Sequence, residues 1–296
     1  MHCALLITLL QDDIALIAMS PEGLRTLLGI VQSHCSDMKM TVSISKSKIM
    51  SNCEDDWDLF DGEEKIGSLE MVCRFKYLGL ETMLSPVRGA ALMRKRAISL
   101  ARRYKGACMN VSRSGPDVSE VALTTWRCIA IPSILFGCES VPFSPTCMDE
   151  VDRIQSAVAK DILGLDVAAP NVAAQAILGL KTFRHKVYET QLKFFLRVNK
   201  LAVTRWSKDA MECHLSGRWV SPYIANITRI KMEVGMVDGP VSKKHVDLVL
   251  DYHFLRKTNE KIKQLNLPAL HPIDAFKLRE HVEESEESQV LLINPD

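Results

Sequence analysis

Residues 79–105, "GLETMLSPVRGAALMRKRAISLARRYK", contain the point at which the chain changes its hydrophobic period. Up to Met83 the pattern is that of a strand; beyond Pro86 the apolar residues recur at three- and four-residue intervals, as on a helix with one buried face. Met93, Ala97, Leu100 and Tyr104 line one side of that helix, while Arg88, Lys95 and Arg102 recur every seven residues on the other. From Ser85 to Pro116 the chain carries Arg88, Arg94, Lys95, Arg96, Arg102, Arg103, Lys105 and Arg113 and no Asp or Glu. The spacing predicts a packed amphipathic helix with a cationic outer face. Such a face suits a polyanion, because each phosphate neutralised by Lys or Arg releases condensed counterions. A helix face that is simply solvated is the alternative.

On the N-terminal side, "LLQDDIALIA" (residues 9–18) sets Asp12 and Asp13 between two apolar strand candidates, residues 4–10 and 14–19. A helix start follows, with Ser20 as N-cap, Pro21 at the first helical position and Glu22 in the first turn. "MKMTVSISKSKIM" (residues 38–50) alternates and is rich in β-branched residues, which predicts a strand, and residues 71–83 read as a strand or hairpin. On the C-terminal side, residues 88–106, 117–131, 147–163, 170–178, 184–202, 243–265 and 272–284 suit helices, punctuated by Gly and Pro. The expected fold is α+β but mostly helical. A small antiparallel sheet region (residues 1–85) leads a helical region (86–204) and a helical C-terminal extension with an acidic tail (205–296).

A chain of 296 residues, 47% hydrophobic, can bury a core of ordinary size. Lys and Arg (37) nearly balance Asp and Glu (36), so any electrostatic signal is local. The nine cysteines are scattered, with no CxxC pair and no Cys/His cluster at zinc spacing, which reads as reduced thiols in the cytoplasm or nucleus. "MHCALLITLL" lacks a basic leader and is too short to span a bilayer, so neither a signal peptide nor a membrane helix is expected. No motif for a small-molecule cofactor is evident.

Two adjacent carboxylates at a turn repel each other, a cost that a bound Mg²⁺ would offset; an ordinary Asp-rich turn is the other reading. Their context is informative. The order of "QDD", a helix, a strand holding Ser43, Lys46 and Ser47, then "FKYLG" at Phe75–Gly79 resembles the palm of reverse transcriptases from non-LTR (LINE-type) retrotransposons. In that family an acidic hairpin precedes an N-x-x-K-[TS] strand and a K-Y-L-G hairpin that grips the primer. Farther along, Pro132, Phe136, Gly137 and Glu139 resemble its P-x-x-x-Y-G-x-E segment. Gln155, Lys160 and Gly164 resemble its Q-x(4)-R-x-I-L-G helix. The match runs to about residue 200.

The resemblance implies a partial palm followed by a thumb and connector region. It implies Asp12 and Asp13 as ligands of Mg²⁺ and Lys46 as proton donor to the leaving pyrophosphate. Tyr77 and Gly79 become part of the primer grip, and Arg88, Lys95, Arg96, Arg102, Arg103 and Lys105 become contacts to an RNA or DNA duplex, weak and without sequence preference. From the residues alone, Lys46 can equally be an exposed strand-end lysine and Tyr77 plain core. Leu10 and Gln11 replace the family's aromatic and small residues, and only ten residues precede Gln11. The family's third carboxylate and fingers would lie upstream of the acidic pair. The chain is therefore expected to be a truncated RNA-directed DNA polymerase of a transposable element, inactive alone, or else a nucleic-acid- or protein-binding helical module.

Overall fold

The computed structural model describes residues 6–10, 13–18, 20–51, 57–61, 64–112, 119–202, 205–216, 221–236 and 242–265. The chain divides into two compact units, residues 1–91 and 92–296.

In the first unit β1 (Leu6–Leu10) and β2 (Asp13–Ile17) form an antiparallel hairpin with Leu10 opposite Asp13. Helix α1 (Pro21–Asp37) starts as its sequence predicts: the Ser20 hydroxyl oxygen accepts from the Gly23 N–H at 3.1 Å, and Pro21 leads the first turn. Its inner side buries Leu27 and Cys35, and the Arg25 guanidinium lies 5.0 Å from the ring centre of buried Trp57. Short strands follow α1: β3 (Lys48–Ile49), β4 (Asp58–Asp61), β5 (Glu64–Ser68), β6 (Glu70–Met71) and β7 (Arg74–Tyr77). With β8 (Leu80–Met83) they pair as β3 with β6 in parallel, and as the hairpins β4–β5 and β7–β8. Among the described residues every sheet has only two strands.

The strand expected over residues 38–50 shrinks to β3. Residues 44–46 form a turn, closed by Ser47 N–H donating to the Ser43 carbonyl at 2.9 Å. Ile44 lies against Gly67 of β5 so closely that a Cβ there would stand 2.8 Å from Ile44 Cδ1. Hairpin β7–β8 turns on Leu78 and Gly79, with φ of 48° and 82°. A two-residue I′ turn needs positive φ at both central positions; glycine accepts this freely and leucine does not.

Helix α2 (Pro86–Ser112) runs across the boundary into the second unit. That unit continues with α3 (Ser119–Thr125), a π-helical turn (Trp126–Ala130), α4 (Ile131–Leu135) and α5 (Pro145–Ile162). Helices α6 (Asn171–Ile177), α7 (Phe183–Asn199), α8 (Trp206–Ser216), α9 (Pro222–Val234) and α10 (Lys243–Gln264) complete it. The single helix expected over 117–131 is interrupted because Pro132 cannot sit inside a regular α-helical ladder. The backbone widens instead, and Ile131 N–H reaches back five residues to the Trp126 carbonyl. No bounds were expected for α8 and α9, although Ile227, Ile230 and Val234 of α9 recur at helical spacing; the helix expected over 272–284 and the acidic tail lie outside the described residues. Among the described residues no helix is long and apolar enough to cross a membrane.

The core of the second unit is apolar with polar fasteners. Trp126, Phe183, Tyr188, Leu192, Ile227 and Leu250 are almost fully buried. Trp126 Nε1 donates to Gln155 Oε1 (3.1 Å), and Gln155 Nε2 donates to the Lys181 carbonyl (3.0 Å). Gln191 Nε2 donates to the Cys138 carbonyl (2.7 Å), and Gln191 Oε1 accepts from Asn226 Nδ2 (2.8 Å). From α5, Asp152 Oδ1 accepts the Phe183 N–H at 2.5 Å in the first turn of α7. Burial pushes the Asp152 carboxyl up to about 6 despite that bond. His185 Nε2 lies 3.3 Å from Asp251 Oδ1 of α10, beside Lys181, which also pairs with Asp251. Burial, with the Lys181 charge next in weight, lowers the imidazole to about 4.

Candidate nucleic-acid interface

Helix α2 sorts its residues by the period that its sequence announces, with one shift. Met93, Ala97, Ala101 and Cys108 are the buried positions, whereas Leu100 and Tyr104, expected in the core, are half-buried at its margin. The buried line passes through Ala97, Ala101 and Cys108 and leaves Leu100 and Tyr104 at its edge. Tyr104 meets Ser133 of α4, oxygen to oxygen, at 3.2 Å.

On the outer side Arg88, Lys95 and Arg103 are exposed, and Lys105 is half-buried. Among the described residues none of these four has a carboxylate partner. Arg102 shares the exposed side but is not free: its Nη2 lies 2.9 Å from Glu150 Oε1 on α5, and Glu150 Oε2 also takes Arg153 at 3.2 Å. The acid missing from residues 85–116 is thus supplied from 48 residues away. Arg96 is engaged differently. Its Nη1 donates to the Phe136 carbonyl at 3.2 Å, and its guanidinium carbon lies 5.6 Å from the Phe136 ring centre. Arg113 lies outside the described residues.

The residues singled out in the first unit are placed as follows. Asp12 lies outside the described residues, and Asp13 is described only in its backbone, as the first residue of β2. Lys46 is exposed in the turn at 44–46, a correction to its expected place at a strand end. Tyr77 is half-buried and Gly79 exposed on the β7–β8 hairpin. Among the described residues no three His, Cys, Asp or Glu side chains gather where they could hold a metal ion, so a Mg²⁺ site at Asp12 and Asp13 rests on sequence alone.

The sequence reading missed a shallow groove lined by Glu120, Val121, Thr124, Thr125, Cys128 and Ile129, along α3 and the π-helical turn. It also missed Phe136 as a partner of Arg96, for which no local spacing is a signal. Burial raises the thiols of Cys138 and Cys147 to about 12 and about 11, which keeps both protonated and unreactive. No family model, curated protein or solved structure matches the chain.

Proposed function

We propose that this chain is a nucleic-acid-binding protein of reverse-transcriptase descent whose helical unit grips the phosphate backbone through α2. The observation that carries the reading is the division of α2 into a buried side and an outer side. Met93, Ala97, Ala101 and Cys108 fix the helix in place, while Lys95 and Arg103 stand exposed without carboxylate partners among the described residues. Exposed cations along one side of a helix can each neutralise a phosphate without reading a base, which supports weak binding without sequence preference. The resemblance to non-LTR retrotransposon reverse transcriptases supports it from the sequence side, since a thumb there lies along the duplex. The proposal is binding without chemistry, and no phosphoryl transfer is assigned to Asp12, Asp13 or Lys46.

Fluorescence anisotropy with a labelled oligonucleotide, repeated from low to moderate salt, tests this. Affinity is expected to fall linearly on a log–log plot, and Lys95→Ala with Arg103→Ala together should reduce the slope by about 1.5, near 0.7 to 0.9 per lost phosphate contact. A folded protein with no salt-dependent binding at low ionic strength would leave a protein-contact role instead.

A further inference from the structure

The pairing of Arg96 with Phe136 identifies which form of nucleic acid α2 would take. Phe136 closes α4, leaving the helix with φ −55° and ψ 120°, and 47% of the residue stays open to solvent. An exposed aromatic ring on a loose loop would carry little meaning, but this one is held on both sides. Gly137, with φ 84°, and Cys138 follow it; both are buried, Cys138 N–H donates to the Leu135 carbonyl at 2.8 Å, and the Cys138 carbonyl accepts from buried Gln191. On the other side Arg96 bonds its carbonyl and lies by its ring. The ring is therefore pre-set, half open and flanked by a cation. Arg103 follows Arg96 by seven residues on the same flank of α2, about 10 Å farther along the axis.

We infer that Phe136 and Arg96 form a stacking platform for an unpaired base, so that the ligand of this face is single-stranded nucleic acid. This inference rests on the reading of α2 proposed above. A duplex offers phosphates to Lys95 and Arg103 but keeps the faces of its bases stacked internally. Polyphosphates and acidic peptides supply charge without a flat π-face. A single strand supplies both at once, and stacking on an aromatic ring tolerates any base because every base has such a face.

The test compares a single-stranded oligonucleotide with an abasic one of equal length and charge, at fixed low salt, by anisotropy. The protein is expected to bind the base-bearing strand about tenfold more tightly. Phe136→Leu, which keeps apolar bulk, should close that gap without weakening the abasic strand; Phe136→Trp should preserve it, and Lys95→Ala should weaken both strands alike. Circular dichroism of each variant checks that the helices persist, and photocrosslinking of a 5-iodouracil strand to the unmodified protein, mapped by mass spectrometry, should mark Phe136 directly. Equal affinity for the two strands, or adducts only elsewhere, overturns the platform while leaving phosphate binding by α2 intact. Failure of both strands to bind removes the proposed function as well.

Discussion

In the first unit the described strands pair off two by two, and among the described residues the buried side chains are Leu27, Cys35, Ile49 and Trp57. In the second, helices close around Trp126, Phe183, Tyr188 and Leu192, and buried amides join segments far apart in sequence. Two-stranded ribbons leave one edge of every strand without a ladder partner and are marginal by themselves. Helices satisfy their own backbones, and the polar side chains inside them can then be used to hold neighbours in register. The difference teaches where substitutions should be damaging: in the second unit through packing and buried hydrogen bonds, in the first through turn geometry.

The largest effect should come from Trp126→Ala. It empties the centre of the second unit and leaves Gln155 Oε1 without its donor, so denaturant unfolding followed by hydrogen exchange over α5 and α7 should show a loss of about 3 to 5 kcal/mol. An exchange pattern that stays as slow as in the unaltered protein would break the comparison. Gln191→Leu comes next. It keeps the volume but strands the Cys138 carbonyl and Asn226 Nδ2, an expected loss of about 1 to 3 kcal/mol in the same measurement.

Acid should act on the second unit through two groups of opposite sign. His185 has a folded pKa near 4 against an ordinary 6.5, so the unfolded chain takes the proton first and stability is lost as pH falls through that window. Asp152, raised from 3.8 to about 6, does the reverse: the folded state takes the proton first, and stability rises as pH falls through its window. Unfolding free energies of the unaltered protein should consequently vary little between pH 6 and pH 4. Asp152→Asn should expose the histidine, giving a steady acid loss over that range. A variant with a flat profile would show that His185 does not sense the solvent proton as its burial requires. Below pH 4.5 Glu189, held down to about 2 by hydrogen bonds from Lys193 and Lys186 that outweigh its burial, adds a further loss.

How much of this was legible in the sequence varies with the range of the interaction responsible. The Ser20 cap, the α2 period and the strand–DD–strand hairpin are written within a few residues of each other, and the structure contains α1, α2 and β1–β2 near their expected bounds. Residues 38–50 carry an equally plain alternation, yet the chain turns at 44–46 and only Lys48–Ile49 pairs as a strand. Glu150 opposite Arg102 and Phe136 beneath Arg96 are tertiary, at separations of 48 and 40 residues, and no periodicity could announce them. The hairpin β7–β8 lies between these cases. Residues 71–83 read as a strand or hairpin, and the positive φ of Leu78 shows a strain that the first unit carries at its tip. Leu78→Asn should relieve it, a gain of about 1 kcal/mol in thermal unfolding of the first unit. No gain would mean that Leu78 makes a compensating contact.

The smallest effect expected is also the one that best separates sequence from structure. By sequence, Lys95 and Arg102 are equivalent heptad cations on one side of α2. In the structure Arg102 is bound to Glu150 while Lys95 has no carboxylate partner among the described residues. Lys95→Ala should therefore reduce the salt slope of nucleic-acid binding by about 0.7 to 0.9, one phosphate contact, whereas Arg102→Ala should change it far less. Glu150→Gln tests the same assignment from the other direction. It removes the charge that holds Arg102, and Arg153 beside it, so affinity at low salt should rise and the slope should steepen by about one contact. Equal losses from Lys95→Ala and Arg102→Ala, with no change from Glu150→Gln, would mean that the ion pair opens when phosphate arrives, as an exposed pair worth about 0 to 1 kcal/mol can. The cationic stripe would then extend along the whole outer face of α2, as the heptad spacing first suggested.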